Sequence, residues 1–233
     1  MQPTYLPWSG YFNLIARAEE FVFLDDVQFS HQSWQQRNRI VVNGQPYVLT
    51  VPVLTSDRGP QLIRDVAVDD SKHWRKKHLR TIQQTYARHP FGREAVSLVE
   101  GTLESGGNRL AQINMALIGA FCQALGLQPS CHLSSELQVA GTRSERLLGM
   151  CRLFHADTYL SPRGSREYLE DDAVFTGSEV QVVYQDFDPP PYPQRGAAEF
   201  VSHMSIVDLL ANVGFEQGRR YVAPPTTRVD GIA

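Results

Sequence analysis

Between Trp8 and Asp26 the chain changes periodicity, and that change constrains its fold more than any other feature. Pro3 and Pro7 bias the residues before them toward extended backbone, so a helix begins no earlier than Trp8. Ser9 reads as an N-cap, and Phe12, Ile15, Ala16 and Ala18 then recur at helical spacing until Glu19 and Glu20. The run Phe21–Leu24 is short, apolar and aromatic, as a buried strand is, and delivers Asp25 and Asp26 at its carboxyl end. The alternation returns later. Cys131–Leu133, Asp157–Leu160 and Val180–Val183 are short apolar runs, and a helical stripe over Thr142–Phe154 carries Leu147, Leu148, Cys151 and Leu153. Helices alternating with buried strands predict an α/β fold, a Rossmann-like and mostly parallel sheet with helices on both faces. Ligands of such sheets lie outside the strand carboxyl ends, so Asp25, Asp26 and Ser161 are expected along one cleft.

One segment interrupts the alternation. Arg39–Val42, Asn43-Gly44 and Tyr47–Val53 predict a β-hairpin insertion, because Asn-Gly tolerates the positive φ of a type I′ turn. Leu62–Val68 reads as a further short strand after the loop Thr55–Pro60. A helix follows over residues 71–87, capped by Asp70 or Ser71, with Trp74, His78, Ile82 and Tyr86 on one face. Two more are expected over Gly92–Glu104 and Asn108–Leu125, the second ended by Gly126. A last helix over Ser205–Asn212 has Ser205 as N-cap and Asp208 at the capping-box position, with Gly214 as its terminator.

The chemistry-bearing residues crowd into the first forty positions. Gln2, Tyr5, Trp8, Tyr11, Asp25, Asp26, Gln28, Trp34, Arg37 and Asn38 are more amide, charge and aromatic than packing needs, and they read as the floor of a site. Lys76 and Lys77 are candidates for a phosphate clamp against the simpler reading of a solvated basic face, and His73 and His78 read first as packing histidines. After the run 157–160, Ser161, Arg163, Gly164, Ser165 and Arg166 form a strand-to-helix loop with hydroxyls and guanidiniums suited to an anion.

Composition excludes several classes. A net charge of -3 gives no general affinity for nucleic acid or membranes. No apolar run approaches a membrane span and no charged leader with an apolar stretch opens the chain. Cys122, Cys131 and Cys151 share no metal-type spacing and read as reduced thiols, so a cytoplasmic location and a metal-free site are expected. At 233 residues, without repeats or a composition shift, one domain over residues 1–222 is expected, with 223–233 a disordered or appended tail. The oligomeric state stays open.

The patterns QPTYLPWSGYFNLI (2–15), FVFLDDVQF (21–29) and WQQRNRI (34–40) resemble the amino-terminal motifs of the WbqC-like family, proteins of bacterial surface-polysaccharide gene clusters. YLSPRGSREYL (159–169), YQDFDPPPYPQ (184–194) and SIVDLLANVG (205–214) extend the resemblance over almost the whole chain. It implies a few apolar residues ahead of Gln2, so a first strand is expected to be trimmed here. It also places Tyr192 and Gln194 on the family pattern, as a lid or as the route of a proline-fixed surface loop. The gene context implies transfer of an acyl or aminoacyl group to a sugar amine. A more distant similarity, to the HxGH region of nucleotidyltransferases and pantothenate synthetase, has Trp8 and Tyr11 where two histidines would stand.

Amide formation needs a base and an oxyanion donor. Asp25 or Asp26, with His73 as substitute, is the expected base, and Gln28, Asn38 or N–H groups near Gly10 hold the oxyanion. Arg37 binds a carboxylate or phosphate, against the simpler reading of a buried Asp26–Arg37 ion pair, and Trp8, Tyr11 and Trp34 supply stacking faces. The expected reaction is an amide-forming acyl or aminoacyl transfer to an amino sugar or other small amine. No bound cofactor is expected, and the co-substrate is a thioester or a charged acyl or aminoacyl carrier. The alternatives are an HxGH-type ATP-dependent nucleotidyl transferase or ligase, and a non-catalytic sugar-nucleotide-binding protein.

Overall fold

The structure, a computed structural model, describes residues 1–55, 58–105 and 107–223. It is mixed α/β, with seven α-helices and three two-stranded sheets among the described residues. The elements that place the site come first in the chain. Helix α1 (Ser9–Arg17) runs directly into strand β1 (Glu20–Phe23). Ser9 is the first helical residue and Trp8 occupies the cap with no side-chain bond, one position earlier than expected. The expected hairpin is present as β2 (Arg37–Val42) and β3 (Gln45–Thr50), antiparallel, with Asn43 at φ 51° and Gly44 at φ 76° in the turn.

Leu62–Val68 is not a strand. Ile63–Asp65 forms a 3-10 turn, and Leu62, Ala67 and Val68 make only isolated bridges, because Ile63 and Val66 pack into the core from successive turns. Helix α2 (Trp74–Tyr86) buries the anticipated face of Trp74, His78, Ile82 and Tyr86, and leaves Lys72, Lys76, Lys77 and Arg80 in solvent. Helices α3 (Gly92–Ser105) and α4 (Leu110–Ala124) complete the main core with Val99, Leu110, Leu117 and Phe121. Each such fully buried side chain contributes roughly 1.5–3 kcal/mol. Gly126, at φ 65°, ends α4 in the left-handed region as expected.

Strand β4 (Ser130–Leu133) pairs in parallel with β1, and after α5 (Arg143–Leu153) strand β5 (Thr158–Ser161) pairs in parallel with β6 (Gln181–Tyr184). Short helix α6 (Arg166–Asp172) lies between β5 and β6. This second pair has its own small core of Leu148, Cys151, Leu169, Phe175 and Val180. The last helix, α7 (Ile206–Val222), is longer than predicted: Gly214 (φ 80°) breaks it, and a second helical stretch continues to Val222. Ser205 is its cap, accepting from the Val207 N–H at 3.3 Å. Asp208 does not close a capping box, because its carboxylate is taken by Tyr86, Tyr192 and Gln194. No helix of the described residues is long and apolar enough to cross a membrane. The expected tail, apart from residue 223, lies outside the described residues, as does Asp57 of the 55–60 loop.

Candidate functional site at the carboxyl ends of the strands

The geometry of α1 orients both strand pairs. The helix leads from its first turn to the start of β1, so the carboxyl end of β1 returns to the amino end of α1. Gln185, directly after β6, donates through Nε2 to the Gly10 carbonyl and to Asn13 Oδ1, both at 2.8 Å. The carboxyl ends of β1, β4, β5 and β6 therefore all lie on the side of the α1 amino terminus.

At the end of β1 and β4, Asp25 is buried and accepts from Ser134 Oγ (3.2 Å), the Ser135 N–H (3.0 Å) and Ser135 Oγ (2.7 Å). Asp26 takes a bidentate bond from Arg146 at 2.9 and 2.5 Å and another from Ser134 Oγ at 2.5 Å. Burial alone would raise the Asp26 pKa, but the bonds from Arg146 and Ser134 outweigh it and hold the carboxyl below its ordinary range. Arg146 also donates to the carbonyls of Val139 and Ser134, so it ties the loop after β4 to the cluster. The buried pair anticipated at Asp26 exists, with Arg146 in place of Arg37. Arg146 went unsuspected because it stands ahead of the apolar stripe of α5, in the first turn after Thr142, and only the fold brings it to β1.

Gln2 is exposed, and its Oε1 accepts from Gln35 Nε2 at 2.8 Å. Asn38 is buried and internally satisfied, donating to the Tyr5 carbonyl at 3.0 Å and accepting from the Arg39 N–H at 2.8 Å. Gln28 is exposed and its backbone bridges to Leu62. Tyr5 and Tyr11 are core residues. The Tyr5 hydroxyl meets His78 Nδ1 at 2.9 Å, and the Tyr11 hydroxyl donates to the Gln2 carbonyl at 3.0 Å. Burial pulls the His78 pKa down to about 4. Neither tyrosine offers a free stacking face.

Trp8 is half-buried between Phe187 and His203, with ring centroids at 5.9 and 4.6 Å. Its indole lies so tightly over Gly10 that a Cβ there would collide with the ring. The start of α1 is thus capped by an aromatic plate, where an HxGH site would need open N–H groups. Trp34 is different: it is 49% exposed, with the guanidiniums of Arg37 and Arg39 at 5.8 and 5.3 Å from its ring. Arg37 and Arg39 have no salt bridge among the described residues.

Around β5, Ser161 is buried, Ser165 is half-buried, and Gly164 is exposed with open space where a Cβ would stand. Arg163 is engaged with Asp186, Asp188 and the Gln185 carbonyl, while Arg166 stacks 4.4 Å from the Tyr184 ring. Tyr192 and Gln194 do not reach this loop. Their hydrogen bonds to Asp208, at 2.7 and 2.8 Å, latch the proline-rich loop onto α7. His73, at φ 51°, and Lys77 are exposed on α2 and its lead-in, with no bond to the carboxylate cluster. Among the described residues no three His, Cys, Asp or Glu side chains gather as metal ligands would.

The WbqC-like protein family model matches residues 2–220. The chain belongs to that family. One relative of this WbqC-like chain is the uncharacterized protein Rv1507c of Mycobacterium tuberculosis (strain ATCC 25618 / H37Rv), 34% identical over 217 residues, with 93% of each chain covered. No solved structure matches the chain.

Proposed function

We propose that this WbqC-like chain is an amide-forming transferase that moves an acyl or aminoacyl group onto a small amine, an amino sugar being the favoured acceptor. The observation that carries the reading is the paired Asp25 and Asp26 at the carboxyl end of β1, where open α/β sheets take their ligands. Asp26 stays ionised well below neutral pH and is held by Arg146 and Ser134, so it serves as a fixed charge on the cleft floor, and the acceptor enters as the neutral amine, its ammonium proton having gone to solvent. The amine nitrogen bonds to the acyl carbon, the bond to the thioester sulfur or carrier oxygen breaks, and one amine proton leaves with that group. Exposed Gln2, whose Oε1 is bonded to Gln35, would supply its amide N–H to the developing oxyanion. Trp34, Arg37 and Arg39 offer a planar face flanked by positive charge, which fits a nucleotide-linked sugar or a carrier's phosphate. Three free cysteines fit work in the reducing cytoplasm.

Thermal-shift and calorimetric screening against amino-sugar nucleotides, acyl-coenzyme A, and ATP with magnesium tests this. Dose-dependent stabilisation by an amino-sugar nucleotide or an acyl donor, lost in Arg37→Ala and Gln2→Ala, is the expected result. Stabilisation by ATP with magnesium alone would replace acyl transfer with nucleotidyl transfer.

A further inference from the structure

Charge is unevenly spread along the chain, and the net value of -3 averages over the separation. Residues 71–93 hold seven lysines and arginines, among them every lysine of the chain, and no carboxylate. Residues 27–56 hold Arg37 and Arg39 and again no carboxylate. The fold packs these two stretches together. The Tyr5 N–H donates to the Trp34 carbonyl at 3.2 Å, while the Tyr5 hydroxyl meets His78 Nδ1 of α2 at 2.9 Å. The Tyr86 hydroxyl, also of α2, accepts from the Val41 N–H of β2 at 3.1 Å. Hairpin and helix are thus neighbours, with no acid of their own. Lys72, Lys76, Lys77 and Arg80 are exposed and, like Arg37 and Arg39, have no salt bridge among the described residues. Asp70, at the helix start, is taken by Arg75 and by Trp74 Nε1. Half-exposed Trp34 is the planar element of this surface, and Arg39 Nε beside it is buried with no hydrogen-bond partner, so the ring and not an acid holds that guanidinium.

We propose that this surface docks the unpaired end of an RNA, with a base stacked on Trp34 and the adjoining phosphates running along the cations of the hairpin and α2. Single strands are held in this way, by a basic track beside an aromatic face that accepts any base, and the two guanidiniums strengthen the stack. An anionic bilayer has the same charge but not the same shape. Tyr47 is paired with Ile40 and Val48 with Arg39, so these two exposed apolar side chains point to opposite faces of the hairpin and form no single tip for lipid. The surface also leads toward the proposed chemistry. Gln35, the residue after Trp34, donates to Gln2 Oε1 at 2.8 Å, and Gln2 is the amide that the proposed transfer uses. The inference rests on that reading at one point: the acyl carrier is an RNA whose terminal hydroxyl oxygen bears the group. RNA, unlike DNA, also presents a 2′-hydroxyl there. Docking itself requires no turnover.

Fluorescence anisotropy of a labelled single-stranded RNA titrated with the full chain tests this, beside the same strand in a duplex, the same sequence as DNA, and phosphatidylglycerol vesicles. The single-stranded RNA is expected to bind roughly tenfold or more tighter than the duplex, with log K falling against log salt at a slope of about −2 or steeper. Trp34→Ala is expected to weaken binding roughly tenfold with the slope unchanged. Lys76→Glu with Lys77→Glu is expected to weaken it and to flatten the slope. All three side chains are exposed, so unchanged melting temperatures separate a lost contact from a lost fold. No binding of the single strand overturns the proposal, as does equal binding of duplex or DNA, binding that neither variant weakens, or binding of vesicles without RNA. RNA binding by a chain that transfers no group would end the proposed reaction and leave the docking face standing. Transfer from a thioester by a chain that binds no RNA would do the reverse.

Discussion

The two parallel pairs, β1·β4 and β5·β6, have ladders of equal length but differ at their carboxyl ends. Beyond β1·β4, Asp25 and Asp26 are saturated by Ser134, Ser135 and Arg146, and the strands back onto the large core. Beyond β5·β6, Gly164 is open and Arg163 is held only by solvent-exposed Asp186 and Asp188 and one carbonyl. The first end is fixed machinery whose charges are already in place. The second can rearrange around an anion at little cost, since exposed ion pairs contribute little to stability. The proposed transfer would use both properties, an immobile polar floor and an adaptable rim.

The largest expected effect breaks the fixed end. Arg146→Ala leaves Asp26 partly buried without its counter-ion, and should cost about 3 kcal/mol or more. Thermal unfolding reads this as a fall of roughly 6–12 °C. A smaller loss would place the Asp26 charge in water and erase the contrast between the two ends. Gln185→Ala cuts the tie between the β6 end and α1, leaving the Gly10 carbonyl and Asn13 short of a donor. Urea unfolding should show a loss of about 1–3 kcal/mol with an unchanged m-value.

Acid sharpens the comparison in two steps. His78 has a folded pKa of about 4, below its unfolded 6.5, so its contribution is complete above pH 6.5 and is lost as pH falls toward 4. Its slope is at most roughly 1.4 kcal/mol per pH unit, and His78→Gln should flatten it. Asp26 is also depressed, so its contribution is present above the ordinary carboxylate range and disappears as pH drops through its lower folded pKa. Asp26→Asn should remove only that second, more acidic limb. At the smallest end, Arg163→Ala should leave the melting temperature unchanged within error, because the side chain is exposed. It should still weaken binding of an anionic ligand if the β5 rim is used. A clear thermal loss would mean that this rim is structural.

Sequence periodicity alone determined the parallel α/β class, the Asn43-Gly44 hairpin, the buried face of α2 and the delivery of Asp25 and Asp26 to a strand end. These follow from local sterics and from the spacing of apolar residues, which act over a few positions. Residues 62–68 misled because β-branched residues bury equally well from a 3-10 turn, and α7 ran on because Gly214 bends the chain without ending the helix. The partners of the polar groups were decided only in three dimensions. Arg146 reaches Asp26 across 120 positions, Gln185 reaches Gly10 across 175, and Asp208 draws in Tyr86 across 122. A buried carboxylate takes whichever donor the packed elements bring to it, and that pairing leaves no periodic trace in the chain.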